Sequence, residues 1–262
     1  MWNGKTVSVV VPAYNEEFTV REIVEEVFRE APVDEVIVVN NNSTDRTAEE
    51  AGKTRARVLF EKRPGYGFAL RKGIENATGD YVVLFDADGN FAAADIQKLL
   101  AYTDCFDLVK GTRSRPELVE EGTYPPFLLW LVIIANVLVS KFQQVLFRGP
   151  VLTDAGCSLR LIKRDTVRML LPFVTVGGAH FLVDLTNLAM VAKVKIIEVP
   201  VRFTKRRGGY SKHGAFWGLA GIAQRMVLHT IRQRFLAWLG RYSAIQSERR
   251  DVAVKRASEP DA

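Results

Sequence analysis

Two carboxylates two residues apart, Asp86 and Asp88, end the apolar run Tyr81-Val82-Val83-Leu84-Phe85 and are followed by Gly89. Paired acids at a strand end can share a hard divalent cation, which prefers oxygen ligands and keeps positions open for phosphate oxygens. Taken alone, an Asp-x-Asp also fits a turn with two solvated acids, since so short a pattern recurs by chance. Basic residues in loops supply the complementary charge. Arg113 follows Lys110-Gly111-Thr112, Arg160 closes the loop that begins at Thr153-Asp154, and Arg202, Arg206 and Lys212 crowd a short stretch around Gly208-Gly209. Asp154 and Asp184 are further carboxylates of the second half of the chain, and His180 reads as a packing residue.

These residues need strands and helices to place them. Val7-Ser8-Val9-Val10-Val11 is β-branched and apolar, and Pro12 is expected to end it by removing a ladder donor. Val20, Ile23, Val24, Val27 and Phe28 recur at helical spacing between Thr19 and Arg29. Val36-Ile37-Val38-Val39 reads as a second strand, ending in Asn40-Asn41-Asn42-Ser43-Thr44-Asp45, and Val58-Leu59-Phe60 as a third. A basic loop with Gly65 and Gly67 then leads into a helix and the strand that stops at Asp86. Such alternation favours an α/β fold with a mostly parallel central sheet flanked by helices. In open sheets of this kind, ligands bind outside the carboxyl ends of the strands.

Further on, Asp95 to Ala101 reads as a helix, Leu108-Val109 as a strand, and Lys110 to Arg113 as a polar loop leaving it. Residues 124–147 form a dense apolar block, broken by Asn136 and Lys141. A membrane span needs about 20 apolar residues, which makes the block borderline; it is expected to lie as a helix at a membrane interface, with a true span and an ordinary core helix as the alternatives. Lys195 to Phe203 alternates like an edge strand that tolerates Pro200 only if it faces away from the ladder. Phe216 to Trp238 reads as a basic amphipathic helix, suited to an anionic bilayer, to the domain itself or to a second subunit. The expected organisation is one main domain over 1–212, amphipathic helices over 213–245, and a disordered tail over 246–262.

Composition narrows the function classes. The 262 residues suffice for a full core, and 48% hydrophobic with 25% charged residues is ordinary for a folded chain. A net charge of +6 points to an anionic partner: nucleic acid, phosphorylated lipid or nucleotide. Nucleic acid would leave the carboxylate pair unexplained, and the aromatic residues are not interleaved with basic ones as in a stacking platform. Cys105 and Cys157 have no metal-ligand spacing, so both are expected to be reduced, buried thiols in a cytosolic protein. No signal-peptide pattern opens the chain.

Val9-Val10-Val11-Pro12-Ala13-Tyr14-Asn15-Glu16, the Ser43-Thr44-Asp45 loop, the Gly65-Tyr66-Gly67 loop and Asp86-Ala87-Asp88, in this order, resemble the nucleotide-sugar half of inverting family-two glycosyltransferases. Lys110-Gly111-Thr112-Arg113, Asp154 with Arg160, Glu198-Val199-Pro200-Val201 and Arg206-x-x-Gly209-x-Ser211-Lys212 resemble the polyprenol- and dolichol-phosphate sugar synthases. The resemblance spans roughly residues 5 to 213 and implies a GT-A fold, Mg2+ or Mn2+, and transfer of a hexose from a GDP- or UDP-sugar with inversion. It implies donor contacts from Pro12, Ala13, Tyr14, Glu16, Asn40, Asn42, Asp45, Gly67, Asp86 and Ala87, and metal at Asp86 and Asp88. Arg113, Arg160, Arg202, Arg206 and Lys212 would hold the diphosphate or the acceptor phosphate, and Asp88, Arg113, Asp154 and Asp184 would serve the reaction.

The implied acceptor is a polyprenyl phosphate at the cytosolic face of a membrane. A soluble or glycan hydroxyl is the alternative, with the apolar helices then serving a homo-oligomer, and a non-catalytic nucleotide-sugar-binding protein is the alternative of another class. Asn40-Asn41-Asn42 stands where relatives carry an acid, which exchanges a charged acceptor for a neutral amide and leaves GDP and UDP both open. Ser158-Leu159 replaces the Gly-Phe common before the residue matched by Arg160.

Overall fold

The computed structural model describes residues 1–208, 216–245 and 247–249, with the helix but not the side chains of 216–220. Lys212 and nearly all of the expected tail lie outside the described residues. Seven strands, β1 (Val7–Ala13), β2 (Glu35–Asn40), β3 (Arg57–Phe60), β4 (Tyr81–Leu84), β5 (Leu108–Thr112), β6 (Arg160–Lys163) and β7 (Ile196–Pro200), form one sheet in the order β3-β2-β1-β4-β6-β5-β7. Only β6 runs against its neighbours, β4 and β5; the other pairings are parallel.

The apolar runs are continuous because both faces of the sheet are covered. Val10, Ile37, Val39, Val82, Leu84 and Ile162 point to one core, under α3 (Tyr66–Asn76), α6 (Arg164–Leu170) and α7 (Phe181–Val191). Their sequence neighbours Val9, Val11, Val36, Val38, Val83 and Leu161 point to the other, under α1 (Val20–Glu30) and α4 (Asp95–Leu100). The short helix α2 (Thr47–Gly52) follows the β2 loop.

Three local expectations change. Strand β1 runs through Pro12 to Ala13 rather than stopping before the proline. Val10 accepts from Phe85 N on the β4 side and Ala13 from Asn41 N on the β2 side, so alternation turns the donor-less nitrogen of Pro12 toward β4. The register with β4 has ended there, and no ladder bond is lost. Lys110-Gly111-Thr112 is not a loop but the end of β5, held between β6 and β7. Cys105 is exposed rather than buried, while Cys157 is buried and both are free thiols. The edge-strand reading of β7 holds: Val201 N bonds Thr112 O, which turns the Pro200 nitrogen outward.

Helix α5 (Pro126–Phe147) carries Phe127, Trp130, Ile134, Leu138 and Val145 exposed along one face. It is long and apolar enough to cross a membrane by length and composition, and the described residues leave most of it uncovered. Helix α8 (Phe216–Trp238) lies beside α5 and α7. A buried amide relay ties the three together: Gln143 donates to Asn187 Oδ1 at 2.7 Å, and Asn187 donates to Gln233 Oε1 at 2.6 Å. Beyond α8, Tyr242 and Ile245 are buried in the main core.

Candidate active site

The carboxyl ends of β1, β2 and β4 meet at one edge of the sheet, and the loops leaving them bind one another. Asn15 N donates to Ser43 Oγ at 3.0 Å, and Thr44 N to Asn15 Oδ1 at 2.9 Å. Asp45 accepts from Thr47 N at 2.9 Å and from Glu17 N at 3.2 Å, joining the β2 loop to the start of α1. Asn41 accepts from Gly65 N at 2.8 Å and donates to Arg63 O at 2.7 Å, which shapes the basic loop. Asn40 Oδ1 caps Ser43 N at 3.0 Å, and Asn42 sits at φ 61°, a left-handed geometry that suits Asn.

Asp86 and Asp88 follow β4 and keep only a narrow exposure to the cleft. The antiparallel register Leu84↔Arg160 brings Ser158 opposite Asp86, and Ser158 Oγ donates to Asp86 Oδ2. Tyr66 OH, from the first turn of α3, donates to Asp86 Oδ1 at 2.8 Å. Burial pushes the Asp86 carboxyl up, with the two hydroxyls working against it. Asp88 is pushed up to about 7 by burial and by the neighbouring Asp86. Asn90 donates to Asp88 from its backbone at 3.1 Å and its side chain at 2.8 Å, and Arg206 Nη1 lies 3.1 Å from Asp88 Oδ2. The other prong of Arg206 bonds Glu16.

Across β6, the end of β5 presents Arg113. Its Nε and Nη2 grip Asp154 at 2.9 and 3.1 Å, and its backbone N adds a third bond at 2.9 Å. The guanidinium lies 4.7 Å from the centre of the Phe203 ring, against which Phe91 and Tyr124 also pack. Burial works to raise Asp154, but Arg113 outweighs it and holds the carboxyl below its usual range. Beneath them the fully buried Lys110 bonds Asp154 O at 3.1 Å and Glu198 Oε1 at 3.2 Å. Glu198 in turn accepts from Thr153 Oγ1 at 2.7 Å and from Asp154 N at 3.1 Å. A narrow pocket opens beside Arg113 and Asp154, walled by Tyr124, Phe203 and, from α5, Leu129, Val132, Ile133 and Asn136.

Residues 8–170 match the family model described as glycosyl transferase family 2. The chain belongs to that family. A glycosyltransferase of Mycobacterium tuberculosis, itself uncharacterized, is 35% identical over 211 residues, 80% of this chain and 90% of that protein. The dolichyl-phosphate beta-glucosyltransferase of Drosophila melanogaster is 30% identical over 269 residues, 92% of this chain and 78% of that protein. Glucosyl-3-phosphoglycerate synthase of Mycobacterium tuberculosis, crystallised with Mn2+, UDP-glucose and phosphoglyceric acid, superposes with a TM-score of 0.67 at 24% identity. That match covers 88% of this chain and 80% of the synthase and shows the GT-A fold.

In this glycosyltransferase the expected site residues divide into those at the cleft and those elsewhere. Pro12, Ala13, Tyr14, Glu16, Asn40, Asn42, Asp45, Asp86, Ala87, Asp88, Arg113, Asp154 and Arg206 lie at the carboxyl edge of the sheet or in the loops leaving it. Arg160 does not reach a phosphate. It is 0% exposed, and its guanidinium bonds Cys157 O, Leu182 O, Thr186 Oγ1 and Ala155 O. Asp184 is enclosed between α7 and α8, where Thr175 N donates to it at 2.8 Å and Gln233 Nε2 bonds its other oxygen. Arg202 is exposed and pairs at 3.6 Å with Asp95 of α4. Gly67 belongs to the first turn of α3, where a Cβ would lie 2.8 Å from Gly177 C and Phe181 Cβ, so it serves close packing. Tyr66, Ser158 and Glu198 gain partners that no sequence spacing shows, because the start of α3, the approach to β6 and strand β7 bring together parts of the chain that are distant in sequence.

Proposed function

We propose that this glycosyltransferase moves a hexose from a nucleotide-diphosphate sugar to a polyprenyl phosphate, with a divalent cation at Asp88, at the cytosolic face of a membrane. The observation that carries this reading is Arg113, fixed by Asp154 in a pocket that α5 helps to line. An apolar chain entering along α5 would bring its phosphate to a guanidinium whose position is already set. A hydroxyl acceptor would need a base for its proton. Asp154 is poorly suited, since Arg113 gives it three hydrogen bonds, Gly156 N adds one at 3.1 Å, and its carboxyl is held low. Asp184 is closed off. An acceptor phosphate is already ionised and needs no such base.

The donor side fits a cation. Asp88 is a mostly buried carboxylate that already draws a guanidinium, and the Asp86 carboxylate lies beside it. That donor set suits an ion carried by one or two carboxylates together with diphosphate oxygens. When bound there, the cation would stabilise charge developing on the leaving diphosphate. Asp86, fastened by two hydroxyls, keeps the neighbouring backbone in place, and Arg206 offers a second positive charge to the same oxygens. The catalytic unit is residues 1–212, with α5 and the 213–245 segment resting on the bilayer through the exposed apolar face and the arginines of α8.

Incubation with radiolabelled GDP- and UDP-hexoses, Mn2+ or Mg2+ and a polyprenyl phosphate, followed by solvent extraction, tests this. Label is expected in the organic phase; label found only in water-soluble product rejects the lipid acceptor.

A further inference from the structure

The two carboxylates of the cleft are held in different ways. Asp86 is tied by neutral hydroxyls, Tyr66 and Ser158, each built into a packed element. Asp88 is tied by a cation, Arg206, on residues 204–208, which lie against the loops after β4 and β1. Thr204 anchors this strap, with N to Asn90 O at 2.7 Å and Oγ1 to Gly89 O at 2.8 Å. Arg207 anchors it again, with N to Asp88 O at 3.1 Å and its guanidinium on Glu22 and Glu26. The Arg206 guanidinium thereby bridges Asp88 and Glu16, carboxylates from the loops after β4 and β1.

A divalent ion on Asp88 needs an oxygen that Arg206 already holds, and two cations in one partly buried gap repel. We infer that Arg206 is the resident counter-ion of the cation site: a bare metal ion must displace it, and a diphosphate draws it away, so that metal and donor bind as a coupled pair. The coupling is reciprocal, because whatever diphosphate does for metal affinity, metal does for diphosphate affinity. The inference rests on the proposed reading of Asp88 as the cation ligand. It assigns Arg206 a second task besides holding phosphate, namely offsetting part of the carboxylate charge there and keeping the site closed to free ions.

The test is a titration of the full chain with Mn2+ alone, following free Mn2+ by its electron paramagnetic resonance signal. Arg206→Gln is expected to bind Mn2+ about tenfold more tightly than the parent, a modest ion-pair contribution of about 1.4 kcal/mol. Lys205→Gln removes the same charge from the exposed residue just before Arg206, whose side chain lies over Gly122 rather than on the Asp88 carboxylate, and is expected to stay within about twofold. Unchanged or weaker binding by Arg206→Gln, or equal tightening by both variants, overturns the inference. Asp88→Asn separates this from failure of the underlying reading. Loss of Mn2+ binding in that variant with no effect of Arg206→Gln sinks the counter-ion role alone, whereas full binding by Asp88→Asn removes the cation site and the inference together.

Discussion

Arg160→Met separates a structural arginine from a phosphate-binding one. The guanidinium is wholly enclosed and donates four hydrogen bonds, at 2.8 Å to Cys157 O, 2.7 Å to Leu182 O, 2.7 Å to Thr186 Oγ1 and 3.2 Å to Ala155 O. These bonds join the loop before β6 to the first two turns of α7. Methionine fills a similar length without a donor, so three backbone carbonyls lose a partner in a dry interior. Bonds to a charged donor contribute about 1.5–3 kcal/mol each but do not add, and removing a buried charge returns part of the loss. A net cost of about 3–5 kcal/mol is the reasonable expectation for breaking one side of such a buried network. For a chain of this size each kcal/mol lowers Tm by about 2–4 °C, so the melting temperature should fall by roughly 10 °C. Differential scanning calorimetry measures this directly. Steady-state kinetics at a temperature where the variant is folded should leave the acceptor KM within about threefold, because no contact to the acceptor has been removed. A Tm within about 2 °C of the parent, together with a KM raised more than tenfold, would refute the structural assignment and return Arg160 to the acceptor site.

The Asp88 carboxyl, raised to about 7 from an ordinary 3.8, keeps its proton in the native protein where the unfolded chain has lost it. Its contribution to stability is therefore present at low pH and disappears as pH rises through that window. Asp88→Asn should gain in Tm over the parent between these two values and show a constant gain above, in melts without metal; a pH-independent difference would contradict the raised value. Mn2+ binding by the parent should weaken below about pH 7, which titrations at pH 6 and 8 would detect. Burial pushes the Cys157 thiol up to about 12, whereas Cys105 is exposed, so a thiol reagent at pH 8 should titrate one cysteine per native chain and two after unfolding. Replacing Phe127 and Trp130 by Gln should lower affinity for anionic vesicles at least tenfold, since each exposed side chain offers about 1.5–3 kcal/mol on burial, and should leave the melting temperature unchanged. Equal sedimentation with vesicles by parent and variant would remove α5 from the membrane contact.

The elements with strong periodicity were legible before any coordinates. The 3.6-residue spacing from Val20 to Phe28, the apolar runs of β1, β2 and β4, and the extent of α8 all match, because each element repeats one local pattern over several residues. Where the local reading failed, a neighbour had decided. Pro12 stays in β1 because its missing donor faces a place where pairing has stopped, and Lys110 is in a strand because β6 and β7 flank it. Neither fact is local to the residue.

The candidate site shows the same division. Its ingredients, an Asp-x-Asp after an apolar run and arginines in loops, are set by the linear order of the chain, together with the turn residues that free the backbone. Which arginine does what is a tertiary matter. Arg113, Arg160 and Arg206 all precede or follow motif residues, yet one clamps Asp154 beside a pocket, one is sealed in the core and one neutralises Asp88. A basic side chain's role depends on whether water or protein surrounds its head group, and that follows from how β6 enters the sheet antiparallel and where α7 lands on it. The chain alone determines that a cation-binding edge can exist; the packing determines which charges remain free to use it.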